Sequence, residues 1–237
     1  MKKRSEGATG LTFGVSAYLI WGSFPLIITA ASFANPFEVV VWRVVFGFLF
    51  AALLVTLTRS WAQTVELVKS PKKLGWVAVA SLFIFVNWSV YVVAVATSNV
   101  LETSLGYFIN PLITVLFAVV FLKEKLRRGQ WVALGIGFVA VVILTFDYGR
   151  PPWIALVLAI SFGTYSLAKN RVGGKIRALQ SFTIESGIVL PFALIQLWIV
   201  SMFTPIMIFS GVVEATILIS FGILTAIPLI LFGAAAS

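Results

Sequence analysis

The stretch LETSLGYFINPLITVLFAVVFL, residues 101–122, decides the fold class. Its only charged residue is Glu102, close to its first position, and the rest is predominantly apolar. A helix needs about 20 apolar residues to cross the roughly 30 Å hydrocarbon core of a bilayer. This stretch therefore predicts a membrane-spanning helix, and it carries a few polar side chains that a purely structural span would not need.

Apolar runs of similar length recur from one end of the 237-residue chain to the other. Hydrophobic residues make up 60% of the sequence and charged residues 11%, whereas soluble domains carry about 25% charged residues. The composition predicts an all-α integral membrane protein with eight transmembrane helices. We expect them at 11–33, 37–58, 74–98, 101–122, 130–146, 153–168, 179–202 and 215–237.

The basic residues test this span count because cytoplasmic loops of membrane proteins are enriched in Lys and Arg. With the N-terminus in the cytoplasm, alternate connectors collect nearly all of them, and only Arg43 and Arg150 fall elsewhere. The net charge of +9 is therefore interpreted as a topology signal rather than as a nucleic-acid surface. The residues on the predicted cytoplasmic side are Lys2, Lys3, Arg4, Arg59, Lys69, Lys72, Lys73, Lys123, Lys125, Arg127, Arg128, Lys169, Arg171, Lys175 and Arg177.

Several classes of chemistry are excluded by composition. The chain contains neither Cys nor His, so it offers no thiol nucleophile, no imidazole base and few groups that bind transition metals. It also lacks a phosphate-binding P-loop, which argues against direct coupling to ATP. We predict no catalytic residues, no metal site and no cofactor.

An internal repeat is indicated by similar tetrapeptides in the first and sixth predicted spans, WGSF at 21–24 and FGTY at 162–165. At nearly the same offset, Arg43 aligns with Glu185. A repeat unit of five helices places the second copy upside down in the membrane, an arrangement typical of secondary transporters. We therefore predict a first repeat at 1–147 and a second at 148–237, the latter lacking its last two helices.

Four charged residues fall within the predicted spans, where a charge is costly. Glu38 and Glu102 lie next to the start of their spans, whereas Arg43 and Glu185 lie deeper. Arg43 is predicted to bind an anionic group such as a carboxylate. The alternative is an arginine whose guanidinium reaches the outer interface, toward Glu38. Glu185 is the best candidate for a proton carrier, with Ser181 one turn before it, and the alternative is a carboxyl group that packs the two repeats together.

The 101–122 stretch carries further candidates. Thr103, Tyr107, Asn110 and Thr114 recur at helical spacing and form one polar stripe. Pro111 interrupts the backbone ladder and is a candidate hinge. Glu102 is a second candidate for proton coupling, although a carboxylate also suits the start of a helix. Plain helix packing is an equal alternative for the other predicted cavity residues, which are Asn87, Tyr91, Trp21 and Pro25, the last also a candidate hinge.

The segment ETSLGYFINPL, residues 102–112, resembles the RarD branch of the EamA family of drug/metabolite transporters. AYLIWG at 17–22, Glu38 with Arg43, and Asn87-Trp88 support the likeness. The resemblance implies a bacterial inner-membrane protein of ten helices in two inverted five-helix halves, with both termini cytoplasmic. Of those ten helices, the sequence contains eight.

We therefore predict a secondary transporter, an exporter of small metabolites or drug-like molecules that works by alternating access. Its partners would be the lipid bilayer, an anionic or zwitterionic substrate and protons. The alternatives are a non-transporting membrane subunit or regulator, and a membrane-embedded enzyme. The enzyme is the weaker alternative because scattered carboxylates such as Glu102 and Asp147 would have to form its site alone.

Overall fold

The computed structural model describes residues 2–123, 125–147, 149, 151–172 and 177–235. Within these residues all regular secondary structure is helical. A short 3₁₀ turn, Met207–Phe209, lies between the last two helices. The helices are α1 Lys2–Ala30, α2 Pro36–Leu57, α3 Trp61–Val68, α4 Pro71–Ala96, α5 Val100–Leu122, α6 Arg128–Asp147, α7 Trp153–Val172, α8 Ala178–Ser201 and α9 Val212–Ala235.

The eight predicted spans all coincide with helices. α1 begins nine residues before the first predicted span, and the other ends differ by a few residues. Positions 236–237 of the last predicted span lie outside the described residues. Six of the helices in the described part of the chain are long and apolar enough to cross a membrane, namely α1, α2, α4, α5, α8 and α9. Of the other three described helices, α3 has only eight residues, α6 contributes only the shorter apolar segment Arg128–Ile143, and α7 carries the polar sequence Lys169-Asn170-Arg171 in its last turn. The count of eight transmembrane helices therefore remains a prediction.

Helix boundaries follow local chemistry. At the start of α2, the Asn35 side chain accepts a hydrogen bond from the Phe37 backbone N–H at 3.0 Å, and Pro36 occupies the first turn. After the C-terminal ends of α2, α4 and α5, the chain turns at residues with a left-handed backbone conformation, which are Arg59, Ser98 and Lys123 respectively. The sequence contains no glycine at any of these three turns.

The helices form two compact units, and α4 contributes to both. The first unit comprises Met1–Ala78 and Gly173–Ser237. In it, α2 packs against α8 and α9, while α1 packs against α9 and α3 against α8. A methyl group on Gly222 of α9 would collide with the backbone of α2 at Phe46 and Gly47. Glycine at 222 therefore lets two helix backbones approach each other directly.

The second unit comprises Val79–Val172 and is built on the pair α5 and α7. A methyl group on Gly106 of α5 would lie 2.9 Å from the Leu158 Cβ atom and 3.1 Å from the Ala155 carbonyl oxygen. These two helices are therefore also packed closely, and Ile109 is buried between Ala155 and Ala159. The two units are defined by packing, whereas the repeats at 1–147 and 148–237 remain a prediction from sequence.

Candidate functional site

Arg43 lies in the interior of the first unit, with 6% of its surface exposed. Its guanidinium carbon lies 5.0 Å from the centre of the Phe24 ring on α1, a distance typical of a cation–π contact. Arg43 is therefore enclosed by protein within this unit. Its role in binding an anion, and the alternative of a guanidinium that reaches the outer interface toward Glu38, both stay predictions. Phe24 was not among the predicted site residues, although it directly follows Ser23 in the WGSF tetrapeptide.

Glu38 is fully buried one turn before Arg43 and binds a distant loop. Its Oε1 atom accepts hydrogen bonds from the backbone N–H groups of Met207 and Ile208, at 2.9 and 3.2 Å, and from the Trp42 indole at 3.0 Å. The carboxyl group therefore joins the first turn of α2 to the connector between α8 and α9. Its Oε2 atom is buried and makes no hydrogen bond within the described residues.

Glu185 is buried in α8, with 3% of its surface exposed. Its Oε1 atom accepts a hydrogen bond of 2.6 Å from the Ser181 hydroxyl, so the pairing expected from the spacing is present. Sequence reasoning overlooked its buried polar neighbours on α8, which are Gln180, Thr183 and Ser186. Five polar residues within QSFTIES, residues 180–186, were the available signal.

The packing of α2 on α8 sets the heights of Arg43 and Glu185. The Gln196 side chain donates a hydrogen bond of 2.9 Å to the Phe37 carbonyl near one end of the pair. Toward the other end, Gly47 lies against the Phe182 ring. The two helices therefore run antiparallel, and Arg43 and Glu185 lie within about one helical turn of each other along their axes.

Trp21 and Pro25 lie on α1 in the same unit. The Trp21 ring is half-buried and meets the Tyr18 ring edge to face at 5.6 Å. α1 continues through Pro25, whose carbonyl accepts a hydrogen bond of 2.9 Å from the Thr29 hydroxyl. The structure therefore places these residues on the helix that supplies the aromatic ring beside Arg43.

Asn87 belongs to the second unit, where it joins α4 to α7. Its Nδ2 atom donates to the Leu158 carbonyl and to the Ser161 hydroxyl, both at 3.0 Å. The residue is almost completely buried. Both amide hydrogens of Asn87 are therefore used between α4 and α7, while its role in a substrate path stays a prediction.

Tyr91 and Tyr107 meet edge to face, with ring centres 5.8 Å apart. Tyr91 is 8% exposed and Tyr107 is 43% exposed, so the pair extends from the interior of the second unit to its surface. Glu102 and Thr103 are buried at the beginning of α5. The polar stripe of α5 therefore starts inside the unit and leaves it at Tyr107.

The second half of the stripe is less enclosed. Asn110 and Thr114 are half-buried, and the Thr114 hydroxyl donates a hydrogen bond of 3.3 Å to the Asn110 side chain. α5 continues through Pro111, which lies on the surface and removes one N–H from the helical ladder. The role of Pro111 as a hinge remains a prediction.

The predicted residues are thus divided between the two units. Arg43, Glu185 and Trp21 belong to the first unit, and Asn87, Tyr91, Glu102, Tyr107 and Asn110 belong to the second. Among the described residues, no three Asp or Glu side chains lie close enough together to hold a metal ion. The chemistry available is therefore that of a buried cation, buried carboxyl groups, amides and phenols.

The sequence is similar to a known transporter family and to individual proteins. The model of the EamA-like transporter family matches residues 8–146. Protein RarD of Streptomyces exfoliatus is 41% identical over 237 residues, which is 100% of this chain and 75% of the relative. An uncharacterised transporter of Pseudomonas aeruginosa is 36% identical over 228 residues, covering 96% of this chain and 76% of the relative.

A relative of lower sequence identity also matches most of the chain. Protein RarD of Escherichia coli is 34% identical over 192 residues, covering 81% of this chain and 64% of the relative. No solved structure matches the chain significantly.

Proposed function

Because the chain belongs to the EamA-like transporter family, we propose that it is a secondary transporter that exports small metabolites or drug-like molecules. Relatives that match most of the chain are named as transporters, and six of its described helices could span a bilayer. Family and helices together support a multi-pass membrane transporter. What we add as a proposal is the direction of transport, the class of substrate and the coupling to protons.

The observation that carries the proposal is the buried polar group in the first unit. Arg43 and the Glu185–Ser181 pair are buried in helices that are predominantly apolar and long enough to cross a membrane. An ionisable side chain costs roughly 2.5–3.5 kcal/mol at the centre of a membrane helix, so it is retained where it has a function. A cation and a carboxyl group at similar height suit a substrate that is anionic or zwitterionic.

We assign the roles accordingly. Arg43 binds a carboxylate or similar anion of the substrate, and Phe24 holds the guanidinium in place. Glu185 exchanges a proton with the transport cycle, and the Ser181 hydroxyl fixes the position of its carboxyl group through a hydrogen bond. Glu102 is the second proposed proton-coupling group. The residues proposed to line the substrate path are Trp21, Asn87, Tyr91, Tyr107 and Asn110, with Pro25 and Pro111 as hinges.

The proposed mechanism is alternating access between two inverted five-helix repeats in the bacterial inner membrane, with a cytoplasmic N-terminus. The alignment of Arg43 with Glu185 in the sequence repeat supports it, because repeat-related positions would then carry the two complementary charges. Burial of a proton on Glu185 in one state and its release in the other would couple the proton gradient to export.

The experiment is flux into and out of proteoliposomes that contain the purified chain and an entrapped pH-sensitive dye. The test compounds are a panel of amino acids and small carboxylates, with chloramphenicol as a neutral reference compound. We expect at least one anionic or zwitterionic compound to move protons in a protein-dependent manner. Arg43→Ala should abolish this flux, whereas the matched variant Arg59→Ala, at an exposed turn, should retain it.

The result also distinguishes the proposal from its alternatives. A non-transporting subunit or a membrane enzyme would give no substrate-dependent proton movement with any compound. If the Arg43→Ala and unmodified proteins gave the same substrate-dependent proton flux, the chain would still be a transporter. The role assigned to Arg43 would then be contradicted.

A further inference from the structure

The short helix α3 joins two candidate spans, α2 and α4, and was not expected from the sequence. Its eight residues, WAQTVELV, are too few to enter the bilayer core as a span. One face is buried through Thr64 and Leu67, where α3 packs against α8. The helix is therefore fixed to the end of the first unit at which α2 ends and α4 begins.

A second face of α3 is apolar and exposed. Trp61, Val65 and Val68 follow one another at helical spacing and are 42%, 46% and 45% exposed. Gln63 and Glu66 lie on the opposite side and are also exposed. We call the three apolar side chains the α3 strip.

Exposed basic residues surround the α3 strip. Arg59 precedes the helix, and Lys69, Lys72 and Lys73 follow it directly. Glu66 is the one acidic residue between positions 59 and 73. An apolar strip bordered by cations is the pattern of helices that lie in the headgroup region of a membrane.

We propose that α3 is an interfacial helix that binds anionic phospholipid at this end of the protein. The α3 strip enters the boundary between headgroups and acyl chains, while the four basic side chains contact lipid phosphates. The Trp61 indole N–H donates a hydrogen bond of 2.9 Å to the Thr56 hydroxyl, so its polar edge is already satisfied within the protein. Tryptophan is also enriched at this depth in membrane proteins.

A second copy of the chain is a poorer occupant of this surface. Three side chains provide much less contact area than the roughly 800 Å² per partner of a stable protein interface. The basic residues would also repel their counterparts across a symmetric interface. Anionic lipid satisfies both the apolar strip and the charge.

The absence of cysteine from the natural sequence allows a direct test of depth in the full chain. Single cysteines at Val65→Cys and, as the matched control on the polar face, Gln63→Cys carry a fluorescent label in nanodiscs. Phosphatidylcholine brominated in its acyl chains should quench the label at position 65 at least about twofold more than the label at position 63. Equal quenching at the two positions would overturn the proposal.

A second measurement tests the charge. Phosphatidylglycerol is titrated into detergent micelles that contain the protein labelled at position 65, and label emission is followed. Replacing Lys69, Lys72 and Lys73 by Gln should raise the lipid fraction at half-saturation by about fivefold or more. One basic residue near an anionic surface changes the affinity by roughly fivefold, so this is the smallest change expected for the triple variant. The control neutralises Lys123, Lys125 and Arg127, which are exposed in the connector between α5 and α6.

The outcomes separate the proposal from its competitors. An equal shift in both triple variants would show nonspecific charge attraction and would contradict a lipid site at α3. A disulfide-linked dimer formed by the Val65→Cys variant would identify a second copy as the occupant and would also overturn the proposal.

Discussion

Helices α2 and α5 are both long, apolar and able to span a bilayer, but they are packed very differently. In the most apolar segment of α2, 50% of the residues are buried inside the protein, whereas in the corresponding segment of α5 only 11% are buried. α2 is covered by α8 and α9, whereas α5 has one close neighbour, α7, and exposes side chains such as Phe108, which is 81% exposed. Hydropathy therefore identifies both helices as spans but does not indicate which of them is enclosed by protein.

Polar residues are held differently in the two helices. Glu38 of α2 accepts three N–H donors, two of them from a loop far along the chain. The half-buried Asn110 of α5 is contacted by Thr114 of its own helix at 3.3 Å. The enclosed helix thus holds its polar group by tertiary contacts, and the more exposed helix by a local one. Four variants test this difference, and the largest expected effect comes first.

Glu38→Ala should destabilise the protein by about 3 kcal/mol or more. The substitution leaves partly buried N–H groups of Met207, Ile208 and Trp42 without their acceptor, and the loss of an acceptor costs about 1–3 kcal/mol for a buried donor. The free energy of unfolding can be measured by titrating SDS into the protein in mild detergent and following tryptophan fluorescence. Glu66→Ala, at an exposed position, should change it by less than about 0.5 kcal/mol.

Gly222→Ala should cost about 2–3 kcal/mol in the same measurement. The added methyl group collides with the backbone of α2, which can move only together with the whole helix. Gly75→Ala is the control, since a methyl group at position 75 would meet nothing within 4 Å. An unchanged free energy of unfolding for Gly222→Ala would mean that α2 and α9 are not packed as described.

Gly106→Ala provides the corresponding measurement on α5 and should cost about 1–2 kcal/mol. Its methyl group would lie 2.9 Å from the Leu158 Cβ atom and 3.1 Å from a carbonyl oxygen, so a modest separation of α5 and α7 relieves the clash. A loss larger than that of Gly222→Ala would reverse the proposed order of packing in the two units.

Thr114→Val should have the smallest effect, within about 0.5 kcal/mol. The hydroxyl is half-buried and its hydrogen bond to Asn110 is long, while valine preserves the shape of the side chain. Asn87→Ala is the matched comparison and should cost about 1–2 kcal/mol, since it removes two buried interhelical bonds. Similar losses for the two variants would show that the α5 stripe is held as firmly as the α4–α7 contact.

Much of the fold could be predicted because long apolar runs have few ways to satisfy their backbone in a bilayer. The burial of Arg43, Glu185, Asn87 and Glu102 also agrees with their polarity inside such runs. α3 was missed because eight residues with a mixed pattern resemble a connector. A helix this short needs tertiary contacts to be stable, and α3 packs against α8. The local sequence does not indicate that contact.

The contacts of the site were harder to predict than its residues. The two bonds from positions 207 and 208 to Glu38 join groups about 170 residues apart. Both donors are backbone N–H groups, which are present at almost every position of a sequence. The Asn87 bond to the Leu158 carbonyl has the same character. By contrast, the Ser181–Glu185 pair was visible because it lies within one turn of a helix.

We propose that Glu185, which is buried in α8 where this helix packs against α2, couples protons to transport. The most direct test uses the chain in proteoliposomes and compares two activities of Glu185→Gln, exchange of labelled substrate at equal concentrations and uphill export driven by a pH gradient. A permanently neutral side chain should allow exchange to continue near the unmodified rate while uphill export is lost. Uphill export by Glu185→Gln at the unmodified rate would contradict the account.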